Sequence, residues 1–103
     1  MAYFTENFIN DRRKQWLRSI YAVEVLVNGI WHRGEFNQKE IEDDTLVIKA
    51  TFPTLDSKAC TITASRVIDR RGETAAYHQR VIEKNSGQGT MIKLTIPIYE
   101  VTA

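Results

Sequence analysis

Two stretches rich in β-branched and aromatic residues, Ser19 to Val27 and Ile30 to Phe36, are separated by the dipeptide Asn28-Gly29. A two-residue turn that matches the twist of its flanking strands needs positive φ at both positions, which Asn and Gly accept at low cost. This segment is therefore predicted to be a β-hairpin, and the short loop fixes its register. Val27 faces Ile30, Val25 faces His32, Val23 faces Gly34 and Tyr21 faces Phe36 on the side expected to be core. On the other side Leu26 faces Trp31, Glu24 faces Arg33 and Ala22 faces Glu35, a surface expected to be mostly solvated except near the turn.

The period of two continues through the rest of the chain. Asn37 to Thr45 is polar around Ile41 and reads as a short edge strand turning at Asp43-Asp44. Thr45 to Phe52 alternates, with Leu46, Ile48, Ala50 and Phe52 inward and Val47, Lys49 and Thr51 outward. Pro53 ends this strand, since it has no N–H to give a ladder. Three further runs, Ala59 to Asp69, Thr74 to Lys84 and Thr90 to Val101, are joined by the glycine-bearing connectors Arg70-Arg71-Gly72-Glu73 and Asn85 to Gly89, and read as a meander. Strands of around ten residues imply curvature or a hairpin projecting from the body.

Only the N-terminal segment carries helical spacing. Phe4, Phe8, Ile9, Trp16, Leu17 and Ile20 suit one helix face, interrupted by Arg12, Arg13 and Lys14. A helix is predicted within residues 4–17, with Asn10-Asp11 as an alternative cap for a shorter one. With 103 residues, 43% hydrophobic and 26% charged, the chain supports one core. The fold class is thus mainly β: a single domain over 1–103, with 1–17 a short helical segment and 18–103 an antiparallel β-sandwich or partly open barrel of six to seven strands.

The composition narrows function by chemistry. The formal net charge is +1, so no overall field draws the chain to polyanions. Cys60 is the only cysteine and there are two histidines, too few for a Cys/His zinc site or an internal disulfide. No apolar run approaches the ~20 residues of a membrane span, and Met1 to Glu6 lacks the pattern of a secretory signal. The expectation is a cytoplasmic protein, or part of something assembled there.

No catalytic, metal or cofactor set emerges, and no small-molecule substrate is inferred. His32 falls on the core side of the hairpin and reads as a packed, hydrogen-bonded histidine; His78 reads as a cross-strand surface residue, and Cys60 as a structural thiol. Ser86 to Gly89 precedes a strand rather than a helix, so it is a loop and not a phosphate cradle. Glu40, Glu42, Asp43 and Asp44 lack the ligand spacing of a calcium loop and read as a solvated turn.

Two surfaces remain. Leu26, Asn28, Gly29 and Trp31 gather at the hairpin tip on the face away from the core, as a protein-interface candidate or as a patch covered by the helix through Phe4, Phe8 or Trp16. Arg12, Arg13, Lys14 and Arg18 form one basic cluster and Arg66, Arg70, Arg71 and Arg80 another, which with Trp16, Trp31 and Tyr77 fit nucleic-acid binding by charge and stacking. The interleaved Glu6, Asp11, Asp69, Glu73 and Glu83 weigh against that use.

Thr61 to Tyr77, in which an apolar strand runs into an Asp-x-x-Gly turn, resembles a strand–turn–strand of small β domains in phage tail and fibre proteins. The resemblance implies a virion or prophage structural component and carries no catalytic residues. The expected function is a non-enzymatic structural or protein-interaction module that binds copies of itself or another protein, with an accessory nucleic-acid-binding domain as the alternative.

Overall fold

The computed structural model describes residues 3–56 and 58–99. In chain order it contains helix α1 (Glu6–Ser19) and strands β1 (Ile20–Val27), β2 (Ile30–Arg33), β3 (Glu35–Glu42), β4 (Thr45–Thr51), β5 (Cys60–Asp69), β6 (Thr74–Lys84) and β7 (Met91–Pro97). The strands form two antiparallel sheets, one of order β2-β1-β5-β6 and one of order β3-β4-β7, packed as a sandwich with no closed barrel among the described residues. The part of the last predicted strand beyond residue 99 lies outside the described residues.

The hairpin forms with the predicted pairs Glu24–Arg33, Val25–His32, Leu26–Trp31 and Val27–Ile30, and both Asn28 and Gly29 have positive φ. It ends sooner than the sequence pattern implies. The N–H of Gly34 still donates to the Val23 carbonyl at 2.9 Å, but the chain then crosses to the other sheet. Phe36 pairs with Ala50 and Glu35 with Thr51, in place of Tyr21 and Ala22. Gly34 makes the crossing possible because a Cβ there would lie 2.8 Å from Cε1 of Phe52 and 2.9 Å from the Thr51 carbonyl oxygen. A second correction arises at the start of β1, where an irregularity between Ile20 and Ala22 turns Ile20 into the core and leaves Tyr21 half exposed on the outer face.

The largest topological correction concerns the expected meander. β5 and β6 pair as predicted, but β7 leaves them and pairs with β4 along its whole length, from Thr45–Pro97 to Thr51–Met91. Asn85 to Gly89 is therefore a connection between sheets rather than a hairpin loop. A strand with alternating Ile92, Leu94 and Ile96 fits the free edge of either sheet by pattern alone. β3 is longer than the expected short strand, yet it is an edge strand and turns at Asp43-Asp44, where Asp43 has φ 55.

The core lies between the sheets: Val23, Val25 and Val27 of β1 and Ile62 of β5 meet Ile48 and Ala50 of β4, with Phe52 and Leu55 beyond its end. Burying each of the larger side chains contributes about 1.5–3 kcal/mol. The faces expected to be wet are drier than predicted. Ala22 and Glu24 are buried on the outer face of β1, and Val47 is buried on the outer face of β4, because central strands are flanked on both sides.

α1 starts at Glu6, inside the predicted span of residues 4–17, and not at the alternative cap Asn10-Asp11. The Thr5 hydroxyl accepts the Phe8 N–H at 3.3 Å, and Glu6 in the first turn suits the positive end of the helix. The helix continues past Leu17 to Ser19 and packs against β1, β3 and β4, with Leu17 on the core. Arg13, which breaks the apolar stripe, is buried there and donates from Nε to the Ile98 carbonyl at 2.9 Å. No helix among the described residues is long and apolar enough to cross a membrane.

Candidate interaction surfaces

The outer face of the four-stranded sheet collects residues from all its strands. Register places Arg33, Glu24, Arg66 and Tyr77 in one row, with Trp31, Leu26, Ala64 and Gln79 in the next. Glu24 sits between two arginines. Its carboxylate accepts from Arg66 Nε at 2.8 Å and from Arg33 Nε at 3.2 Å. The Arg66 guanidinium also lies 4.0 Å above the Trp31 ring, and Tyr77 meets that ring edge-on at 6.3 Å. Leu26 and Trp31 do come together beside the Asn28-Gly29 turn, but Arg66 and Tyr77 cover the indole rather than α1, whose Phe8 and Trp16 remain exposed.

Below this row the strand β5 runs into its turn. Asp69 Oδ1 accepts the backbone N–H groups of Arg71 at 2.9 Å and Glu73 at 3.1 Å, while Gly72 supplies a positive φ. The Glu73 N–H is the main reason the Asp69 carboxyl is held below its ordinary value, with Arg71 adding to it. Arg70 donates to the Arg18 carbonyl, and Lys39 donates to the Ile20 carbonyl at 2.8 Å. Burial, reinforced by the Arg70 cation, pulls the Lys39 ammonium below its ordinary value. Arg66, Arg70 and Arg71 thus share one region, whereas Arg80 lies apart on β6. Of the first cluster, Arg13 is consumed in the core and Arg12 pairs with Asp11 at 2.9 Å.

A different surface lies where β6 and β7 form the free edges of their sheets. Between them are two small clefts, of ≈ 70 and ≈ 100 Å³, lined by Ser65, Val67 and Ile82 on one side and Ile92 and Leu94 on the other. His78 and Arg80 line this opening, and every residue from Thr74 to Val81 is exposed. On the outer face of β7, Lys93 stands directly opposite Lys49 of β4, and among the described residues neither has a carboxylate partner. The other edge of the same sheet, β3, carries Glu40 and Glu42, which both accept from the Gln38 amide, followed by Asp43 and Asp44 in the turn.

The remaining candidates have local partners. His32 Nδ1 lies 3.4 Å from the Thr54 hydroxyl, and Cys60 is a half-buried free thiol packed on the core. No group of three or more His, Cys, Asp or Glu residues is placed to hold a metal ion among the described residues. The Lys49–Lys93 pair went unread in the sequence because it depends on β7 pairing with β4; only the outward direction of Lys49 was legible.

No protein-family model matches the chain, and comparisons with curated proteins and with solved structures find no significant similarity.

Proposed function

We propose that the chain is a non-enzymatic structural module that assembles head to tail, the β7 edge of one copy pairing with the β3 edge of the next. The observation that carries this reading is the opposed charge of the two edges of one sheet. Lys93 and Lys49 are like charges directly opposite each other, an arrangement that costs a few tenths of a kcal/mol unless an acid joins it. Glu40 and Glu42 occupy the corresponding outer face of β3.

Charged edges usually keep strands from pairing with their own kind. Here each edge repels a copy of itself and attracts the other, which selects a head-to-tail contact over a two-fold one. Such a contact extends as a ring or a filament. β3 and β7 run parallel within the sheet, so the contact continues it as a parallel pair, with β6 brought beside the partner's β2. Apolar Ile92 and Leu94, half-buried at the open side, gain cover in the same step. The resemblance of Thr61 to Tyr77 to phage tail and fibre β domains agrees with a repeating virion component, because such parts are built from many copies of one chain.

Sedimentation velocity over a hundredfold range of concentration tests the reading. Wild type is expected to form larger species as concentration rises, Lys93→Glu and Glu40→Lys each to remain monomeric, and the double variant carrying both to assemble again. A wild-type monomer at every concentration, or assembly that both single variants leave untouched, rejects it.

A further inference from the structure

The arginine region on the outer face of the four-stranded sheet differs in charge balance from the rest of the molecule. Arg33 and Arg66 share Glu24, and Arg71 pairs with Asp69 and Glu73. Arg18, Lys39 and Arg70 stand nearby with no carboxylate partner among the described residues. Three cations are thus in local excess, in a chain whose formal net charge is only +1. Of the acids that weigh against nucleic acid in the sequence, Asp69 holds its own turn, Asp11 pairs with Arg12 and Glu73 with Arg71, while Glu24 in the same region is buried and shared by Arg33 and Arg66.

Two of these cations, Arg18 and Arg70, line concave surface. One groove of ≈ 560 Å³ runs past Arg18 and Ser19, another of ≈ 370 Å³ past Tyr21, Arg33 and Arg66, and the two share Asp69, Arg70 and Arg71. Aromatic rings lie at its margin. Tyr21 is 50% exposed with the Arg33 guanidinium 5.2 Å from its centroid, and Tyr77 is 58% exposed beside Trp31. Arginines held over rings next to unpaired cations match the two needs of an unpaired strand, whose phosphates take charge and whose bases take an aromatic surface. A duplex hides its bases, leaving the rings without a role.

We propose that this groove binds single-stranded nucleic acid, with Arg18, Arg70 and Arg71 on the phosphates and Tyr21 and Tyr77 as surfaces for bases. The site is formed by the end of α1, the turn after β5 and the outer face of the four-stranded sheet, and of the residues just named Tyr77 alone lies on an edge strand, β6.

Fluorescence anisotropy with a labelled oligothymidylate tests it, performed on wild type and on the Lys93→Glu variant so that assembly and binding are read separately. Three phosphate contacts predict roughly a twentyfold loss of affinity between about 50 and 200 mM salt. Arg70→Glu with Arg71→Glu, at exposed turn positions, is expected to weaken binding by more than about tenfold, and Tyr21→Ala by about tenfold with the salt slope unchanged. Circular dichroism of each variant establishes that it is folded. Absence of binding in low salt overturns the proposal, as does a blunt duplex or a polyglutamate peptide that binds as tightly, or a Tyr21→Ala variant that is folded and unaffected.

Discussion

Strands β1 and β7 are both rich in aliphatic residues, and the molecule uses them in opposite ways. β1 is interior to its sheet and buried on both faces, from Val23 and Val25 inside to Ala22 and Glu24 outside. β7 is an edge, with Met91, Lys93 and Thr95 exposed and Ile92, Leu94 and Ile96 only half covered. The contrast separates two situations: β1 carries much of the free energy of the fold, while β7 leaves apolar surface and unpaired backbone groups open, which the proposed assembly would cover. Mutations in the two strands should therefore differ in kind as well as in size.

The largest effect is expected from Val25→Asp. It places an unpaired carboxylate at a position of zero exposure and should cost more than about 4 kcal/mol, leaving little cooperative unfolding in urea. Next comes Gly34→Ala at the crossing between the sheets, where the new methyl meets the Phe52 ring and the Thr51 carbonyl. The expected loss is about 1–3 kcal/mol in the urea midpoint. A neutral Gly34→Ala would mean that Phe52 and the Thr51 carbonyl can move aside for a methyl group.

Glu24→Gln probes the outer face of β1. It removes the charge shared by Arg33 and Arg66, and because those arginines are 52% and 26% exposed the loss should be about 1–2 kcal/mol rather than the larger value of a fully buried pair. Lys93→Glu in β7 should do the reverse. By relieving the Lys49–Lys93 repulsion it should raise the stability of the monomer by a few tenths of a kcal/mol while abolishing assembly. A smaller, pH-dependent effect belongs to Asp69. Its folded value lies below the ordinary 3.8, so its contribution is complete above that range and is lost as pH falls through the lowered value. The acid unfolding curve of Asp69→Asn, compared with wild type, should lack that step.

The sequence foretold β1 more fully than β7, for physical reasons. Asn28-Gly29 is a local signal that sets both turn and register, so the pairs from Glu24–Arg33 to Val27–Ile30 could be written down in advance. The limit was Gly34, since a glycine in a strand is compatible with continued pairing, a bulge or a close approach, and only the position of Phe52 decides among them. β7 has no comparable signal: its alternation states which face is apolar, and the choice between β6 and β4 as neighbour is made by long-range packing. The helix was legible as an element but not at its boundaries, because the Thr5 cap competes with Asn10-Asp11 on equal local terms. Of the candidate surfaces, the nearness of Leu26 to Trp31 followed from the hairpin, whereas the stacking of Arg66 on Trp31 required β5 to lie beside β1.

Hydrogen exchange measured strand by strand at low and high protein concentration reads the difference between the buried β1 and the open edges β7 and β3. Amides of β1 are expected to be protected at every concentration, while the outward amides of β7 and β3 exchange quickly in dilute solution and become protected together as concentration rises. Edges that stay equally open while larger species form would contradict the proposed edge pairing, as would protection of β7 without β3.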